Sequence, residues 1–142
     1  MIRVRKVKDG DMEYLVEHLR KEDIAEIRKL GATERDAVYD SVSLSDEAFA
    51  LEKNGVPMML FGIVGSLVGT AKVWGLGTDL CHTSPKVMLK WGRRWTDKFV
   101  RKYGAIENWC DADYTSSLKW LRKIGFRVDE PENGFCHIIK EA

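Results

Sequence analysis

Seven basic side chains crowd the stretch from Ser84 to Gly104: Lys86, Lys90, Arg93, Arg94, Lys98, Arg101 and Lys102, opposed there by Asp97 alone. Interleaved with Trp91 and Trp95, they are the residue types of a nucleic-acid surface, where cations meet phosphates and rings stack on bases. The spacing argues otherwise. Met88, Trp91, Trp95 and Phe99 recur at three- and four-residue steps, which makes them the apolar stripe of a helix and puts the cations on its solvent face. Stacking and phosphate contact then belong to different surfaces. A solvated face is expected first, an acidic protein partner or the 3′-phosphate of a nucleotide cofactor next, and nucleic acid last. Cys81, Cys110 and Cys136 are an odd number without a CxxC pair, and His18, His82 and His137 are scattered. This pattern gives no zinc site, disulfide framework or Ser/His/Asp arrangement; reduced thiols in a cytoplasmic setting are expected.

The elements that would carry these residues centre on Ala71 to Phe126: a strand from Ala71 to Leu76, a helix entered at Ser84-Pro85, a strand from Ile106 to Asp111 and a helix over Thr115 to Ile124. Ser at the N-cap and Pro at the first helical position suit the helix entry, and Gly104 closes it. Two strands joined through a helix are most simply parallel neighbours in one sheet. Ligands of such sheets lie outside the carboxyl ends of strands, near helix N-termini with free N–H groups.

Ahead of this stretch, Ile2 to Val7 alternates as a half-buried strand, and Asp9-Gly10-Asp11 turns the chain and offers a helix cap. Met12, Leu15, Val16 and Leu19 form one helical face. Asp23 and Glu26 have the spacing of a capping box for a second helix, faced by Ile24, Ile27 and Leu30 and stopped at Gly31. Thr33 to Asp36 starts a third short helix. Glu47 to Leu51, the Lys53-Asn54-Gly55 turn, Pro57 to Val64, a Gly65-Ser66 turn and Leu67 to Leu76 then read as an antiparallel meander. In the last helix Leu118, Leu121 and Trp120 turn inward and Asp113 is a cap; Phe126 to Val128 and Phe135 to Ile139 make a final hairpin across Pro131 to Gly134.

A chain of 142 residues with 44% hydrophobic and 32% charged residues fits one soluble α/β (α+β) domain, 1–142. The longest apolar run, Val56 to Val64, is strand length, so no membrane span is expected, and Met1 to Arg5 is no signal peptide. Net charge is +1, with residues 1–55 at 10 Lys/Arg against 13 Asp/Glu and residues 56–142 at 13 against 9.

The order β-α-α-β-β-β-α-β-α-β, with Gly125-Phe126 at the exit of the last helix, resembles the GNAT superfamily of acyl-CoA N-acyltransferases. Ser117 to Phe126 resembles its C-terminal helix motif, Ala/Ser-x-x-Phe/Leu-Tyr-x-Lys-x-Gly-Phe. A narrower resemblance is to a GNAT-like family of short-tailed bacteriophages whose members are labelled internal virion or virion assembly proteins. It rests on Arg20 to Ile27, Phe61-Gly62, Trp74 to Asp79, Arg93-Arg94-Trp95 and Asp111 through Phe126.

The resemblance implies a GNAT-like mixed, mostly antiparallel sheet splayed near Trp74 and Asn108, and acetyl-CoA as cofactor. Backbone N–H groups at Trp74, Gly75 and Leu76 would hold the acyl carbonyl. The usual glycine-rich diphosphate cradle is absent; Thr83, Ser84 and Lys86 stand in its place, with Pro85 lacking a donor and Asp79 adding like charge. The position of the usual tyrosine acid is Leu121, which cannot donate. Tyr114 is the acid candidate; Glu26, Asp111 and Asp113 are base candidates, with structural roles as caps for Glu26 and Asp113 standing beside. Two functions follow: an acetyl-CoA-dependent N-acetyltransferase acting on a small-molecule or protein amine in the cytoplasm, and a phage virion or assembly protein that binds other virion proteins and has lost the chemistry. No metal is implied.

Overall fold

The computed structural model describes residues 1–67 and 69–142. Its elements are β1 (Ile2–Lys6), α1 (Asp11–His18), α2 (Lys21–Lys29), α3 (Glu34–Leu44), β2 (Glu47–Lys53), β3 (Val56–Val64), β4 (Ala71–Gly77), a 3-10 turn (Asp79–Cys81), α4 (Pro85–Tyr103), β5 (Ile106–Asp111), α5 (Thr115–Lys123), β6 (Arg127–Val128) and β7 (Phe135–Lys140). The strands follow the order β1-β2-β3-β4-β5-β7-β6. Those pairings with a described register are antiparallel except β4 with β5, whose partners Ala71↔Ile106 and Lys72↔Glu107 run parallel. This is the mixed, mostly antiparallel sheet expected, including the crossover through α4.

The chain divides into two compact units: Met1–Val64 with Trp74–Ser84, and Gly65–Val73 with Pro85–Ala142. In the first, Leu15 and Leu19 of the α1 region, Ile27 of α2 and Val38 of α3 pack with Ala50, Leu60 and Leu76 of the strands. The helical spacing of the apolar residues turns one stripe of each helix onto the sheet. The Asn54-Gly55 turn holds both residues at positive φ, 52° and 83°, as a two-residue hairpin requires. Arg3 and Arg5 both grip the buried Glu52, and Arg5 also pairs with Asp11.

In the second unit Ile106, Cys110, Cys136 and Ile138 are buried on strands, with Met88 and Phe99 of α4 and Leu118 and Leu121 of α5 among the buried helical residues. Trp120 donates its indole N–H to the Met88 carbonyl (3.0 Å). Its ring lies so close to Gly92 that a β-carbon there would stand 2.7 Å from Trp120 Cζ2. Lys140 is buried yet saturated, reaching Thr96 Oγ1 (2.8 Å), the Ile124 carbonyl (2.7 Å) and Asp97 Oδ1 (2.7 Å).

Five local expectations change. β4 begins at Ala71 and not at Leu67, since Gly65 to Leu67 are outside any strand and Gly69 sits at φ 127°; Val68 lies outside the described residues. The N-cap of α1 is Gly10, without a side-chain bond, because Asp11 is turned to Arg5 and the Lys8 amide. Asp23 and Glu26 form no capping box: α2 starts earlier, at Lys21, and Asp23 points away from the helix end. Asp113 does not cap α5; its own amide is held by Asp111 Oδ1 (2.9 Å) in a tight turn. Trp91 and Trp95 are half-buried, and cations lie over their rings: Arg94 at 5.2 Å and Lys90 at 5.9 Å for Trp91, Lys98 at 4.5 Å for Trp95.

Candidate functional site

The parallel ladder between β4 and β5 has its last described pair at Lys72↔Glu107. An interrupted ladder leaves backbone donors and acceptors that need partners. Here one asparagine supplies both: Asn108 Nδ2 donates to the Val73 carbonyl (2.6 Å), and Asn108 Oδ1 accepts from the Trp109 amide (2.7 Å). A side-chain amide is suited to this because it carries a donor and an acceptor together.

Past Val73 the strand belongs to the first unit, and its alternation decides which amides are available. The Thr78 amide bonds the Met58 carbonyl (2.8 Å), so Thr78, Leu76 and Trp74 turn their backbone groups toward β3. Val73, Gly75 and Gly77 face the opposite edge. Gly77 is already filled on that edge: its amide donates to Asp23 Oδ2 (2.7 Å) and its carbonyl accepts from the Arg20 amide (2.9 Å). Asp23 is itself buried and gripped by the Arg20 guanidinium at 2.9 Å. That leaves Gly75, which is exposed and has no described partner on that edge. Of the three amides expected to hold a carbonyl, strand alternation turns those of Trp74 and Leu76 toward β3. The Trp74 indole is also engaged, donating to Ser45 Oγ (2.6 Å) beside Gly62.

The loop toward α4 is closed by its own bonds. Thr78 Oγ1 donates to the Met58 carbonyl (3.0 Å) and accepts from the Leu80 amide (3.3 Å), setting the 3-10 turn. Ser84 is 6% exposed; its amide points to the Cys81 carbonyl (3.4 Å) and its hydroxyl accepts from Lys53 Nζ (3.4 Å). Thr83 is exposed, with its hydroxyl donated to the Leu80 carbonyl (3.0 Å). His82 pairs with Glu22 of α2 at 2.6 Å. Burial pushes the Cys81 thiol up, so it is a packing group and not a thiolate. Glu26 is half-buried on α2, one turn beyond Asp23.

In the second unit Asp111 and Tyr114 share the corner between β5 and α5. The Asp111 carbonyl accepts from the Tyr114 amide (3.0 Å), and both residues are buried, at 6% and 7% exposure. Lys86 is exposed on the first turn of α4, and Leu121 is packed into the core. Thus Glu26, Trp74, Gly75, Leu76, Thr83 and Ser84 lie in one unit and Lys86, Asp111 and Tyr114 in the other. Sequence reasoning missed the Asn108 bridge and the Arg20–Asp23 grip on Gly77. The only sequence signal for the latter was an acid three residues after a base, which a helix N-terminus explains equally well. Among the described residues no cluster of His, Cys, Asp or Glu could hold a metal ion, and no helix is long and apolar enough to cross a membrane.

No family model matches the chain, and no curated protein sequence matches it. Solved structures do. A GNAT-family acetyltransferase from Bacillus anthracis superimposes with TM-score 0.72 at 14% identity, over 99% of this chain and 94% of that one. The GNAT domain of S. lividans PAT gives TM-score 0.75 at 12% identity, over 99% and 90%. AAC(6')-Ib in complex with ribostamycin and coenzyme A gives 0.69 at 13%, over 99% and 93%. At such identities the likeness is one of fold, and the fold is that of GNAT acetyltransferases.

Proposed function

We propose that this chain is an acetyl-CoA-dependent N-acetyltransferase working as one GNAT-like domain, 1–142, in the cytoplasm. The observation that carries the reading is the open peptide edge of Gly75, next to backbone edges that Asn108 and Asp23 have filled. The N–H of Gly75, an exposed residue on the strand edge away from β3, suits the carbonyl oxygen of an acyl group, and it stays fixed as charge develops there. Coenzyme A bound to a fold relative supports the cofactor assignment, and the aminoglycoside in the same complex supports an amine acceptor, a small molecule or a protein group.

The fit to the cofactor differs along its length. The thioester end has a donor in Gly75. The diphosphate end is less well served, because the Ser84 amide and hydroxyl are engaged, leaving the Thr83 amide and the exposed Lys86 ammonium to meet it. When bound, acetyl-CoA supplies the activated acyl group. The Gly75 N–H would polarise the acyl carbonyl; Tyr114 is the candidate proton donor, and Asp111 or Glu26 the candidate acceptor of the amine proton.

A second reading has specific support. With Gly77 filled by Asp23 and Arg20, Ser84 engaged and Leu121 in the tyrosine position, a phage-encoded internal virion or assembly protein that kept the fold without the chemistry fits the same residues. Titration with acetyl-CoA separates the two, because a ligand of the native state raises its melting temperature by mass action. The enzyme reading expects a concentration-dependent rise, reduced by Lys86→Glu, together with release of free thiol when an amine is added. An unchanged melting temperature at millimolar acetyl-CoA, on the order of ordinary cofactor levels, overturns it in favour of the second.

A further inference from the structure

The solvent face of α4 carries more positive charge than the proposed diphosphate contact at Lys86 uses. Lys86, Leu89, Lys90 and Arg93 of α4 and Lys123 at the end of α5 line an open depression of about 480 Å³. Lys86, Lys90 and Arg93 are spaced four and three apart, so they share one helix face. The Arg93 guanidinium donates to the Lys123 carbonyl, which ties the two helices together at this point. None of the four cations meets a carboxylate among the described residues. The nearby Asp97 is taken by Lys140, Glu107 by His137, and Asp129 by Arg127 and His137.

We infer that this groove docks an acidic, amphipathic segment of a partner protein, with carboxylates on Lys86, Lys90, Arg93 and Lys123 and an apolar side chain on Leu89. Charge decides the sign of the partner, and Leu89 decides its class. Phosphates of a nucleic-acid strand laid along this face would pass over an apolar side chain with nothing to offer it, whereas an amphipathic peptide brings an apolar anchor. Trp91 and Trp95 are covered by Lys90, Arg94 and Lys98, so their rings are not presented for bases. A single small anion is too compact as well: Lys86 and Arg93 are roughly 10 Å apart along the helix axis.

The test is fluorescence anisotropy on the full chain with a labelled peptide of Asp and Glu around one Leu. Saturable binding is expected, weakening with added salt. Lys90→Glu with Lys123→Glu should cost on the order of tenfold in affinity. The charge-matched pair Lys98→Glu with Arg101→Glu, outside the depression, should stay within about twofold. Leu89→Ser in the protein, or Leu→Ser in the peptide, should weaken binding with every charge intact. Melting curves of all variants confirm that they are folded. Equal losses from both charge pairs would reduce the effect to net charge and overturn the proposal. So would indifference to the leucine on both sides, or tighter binding of a single-stranded DNA of equal charge.

Discussion

Lys140 shows how a single buried cation is tolerated. Its ammonium has three acceptors, Thr96 Oγ1, the Ile124 carbonyl and Asp97 Oδ1, and only Asp97 retains much contact with water. Lys140→Met keeps the stem and removes the charge, leaving the Ile124 carbonyl buried and unbonded; the expected loss is about 2 kcal/mol in urea unfolding. An unchanged midpoint would mean that water replaces the ammonium. His137 offers a test by pH. Its Nε2 faces Glu107 (2.8 Å) and its Nδ1 faces Asp129 (3.3 Å), and these bonds raise its pKa above the ordinary 6.5. A raised folded pKa means that the charged form stabilises the fold, fully below about pH 6.5 and decreasingly as pH rises through the folded value. Unfolding midpoints should fall as pH rises above about 6.5, and His137→Gln should remove that part of the slope. A slope identical in the variant would assign it elsewhere.

At the scale of elements, Gly92 records how closely α4 and α5 approach. The Trp120 ring stands where a β-carbon would go, and the indole is tied to Met88. Gly92→Ala gains about 1 kcal/mol of helix propensity but overpacks against a fixed ring at a cost of about 1–3 kcal/mol. A net fall in melting temperature is expected; a rise would show that Trp120 moves aside freely. Local signals were sufficient where they acted alone. Ser84-Pro85 and Gly104 bound α4, and the β5 limits, Ile106 and Asp111, are those expected from the sequence. They failed where a distant group competed. Asp23 has the sequence position of a cap, yet a buried amide at Gly77 and the Arg20 guanidinium hold it instead, and no spacing rule reports a partner 54 residues away. Asp113 was misread for a related reason: the preceding acid, Asp111, takes the turn.

For the whole molecule, the sequence order and the Gly125-Phe126 exit were enough to reach the GNAT fold, because hydrophobic periodicity and turn residues are written locally. The site was less legible. Trp74, Gly75 and Leu76 look equivalent in sequence; strand alternation and the Thr78–Met58 bond make Gly75 the one whose amide faces away from β3. The central claim is therefore that the Gly75 N–H receives the acyl carbonyl. The direct measurement is an amide-resolved NMR titration of the isotope-labelled chain with acetyl-CoA and, separately, with coenzyme A lacking the acyl group. The account predicts a Gly75 amide shift that acetyl-CoA produces and coenzyme A does not, with the amides of Trp74 and Leu76 moving less. A Gly75 amide indifferent to acetyl-CoA while other amides respond would contradict it.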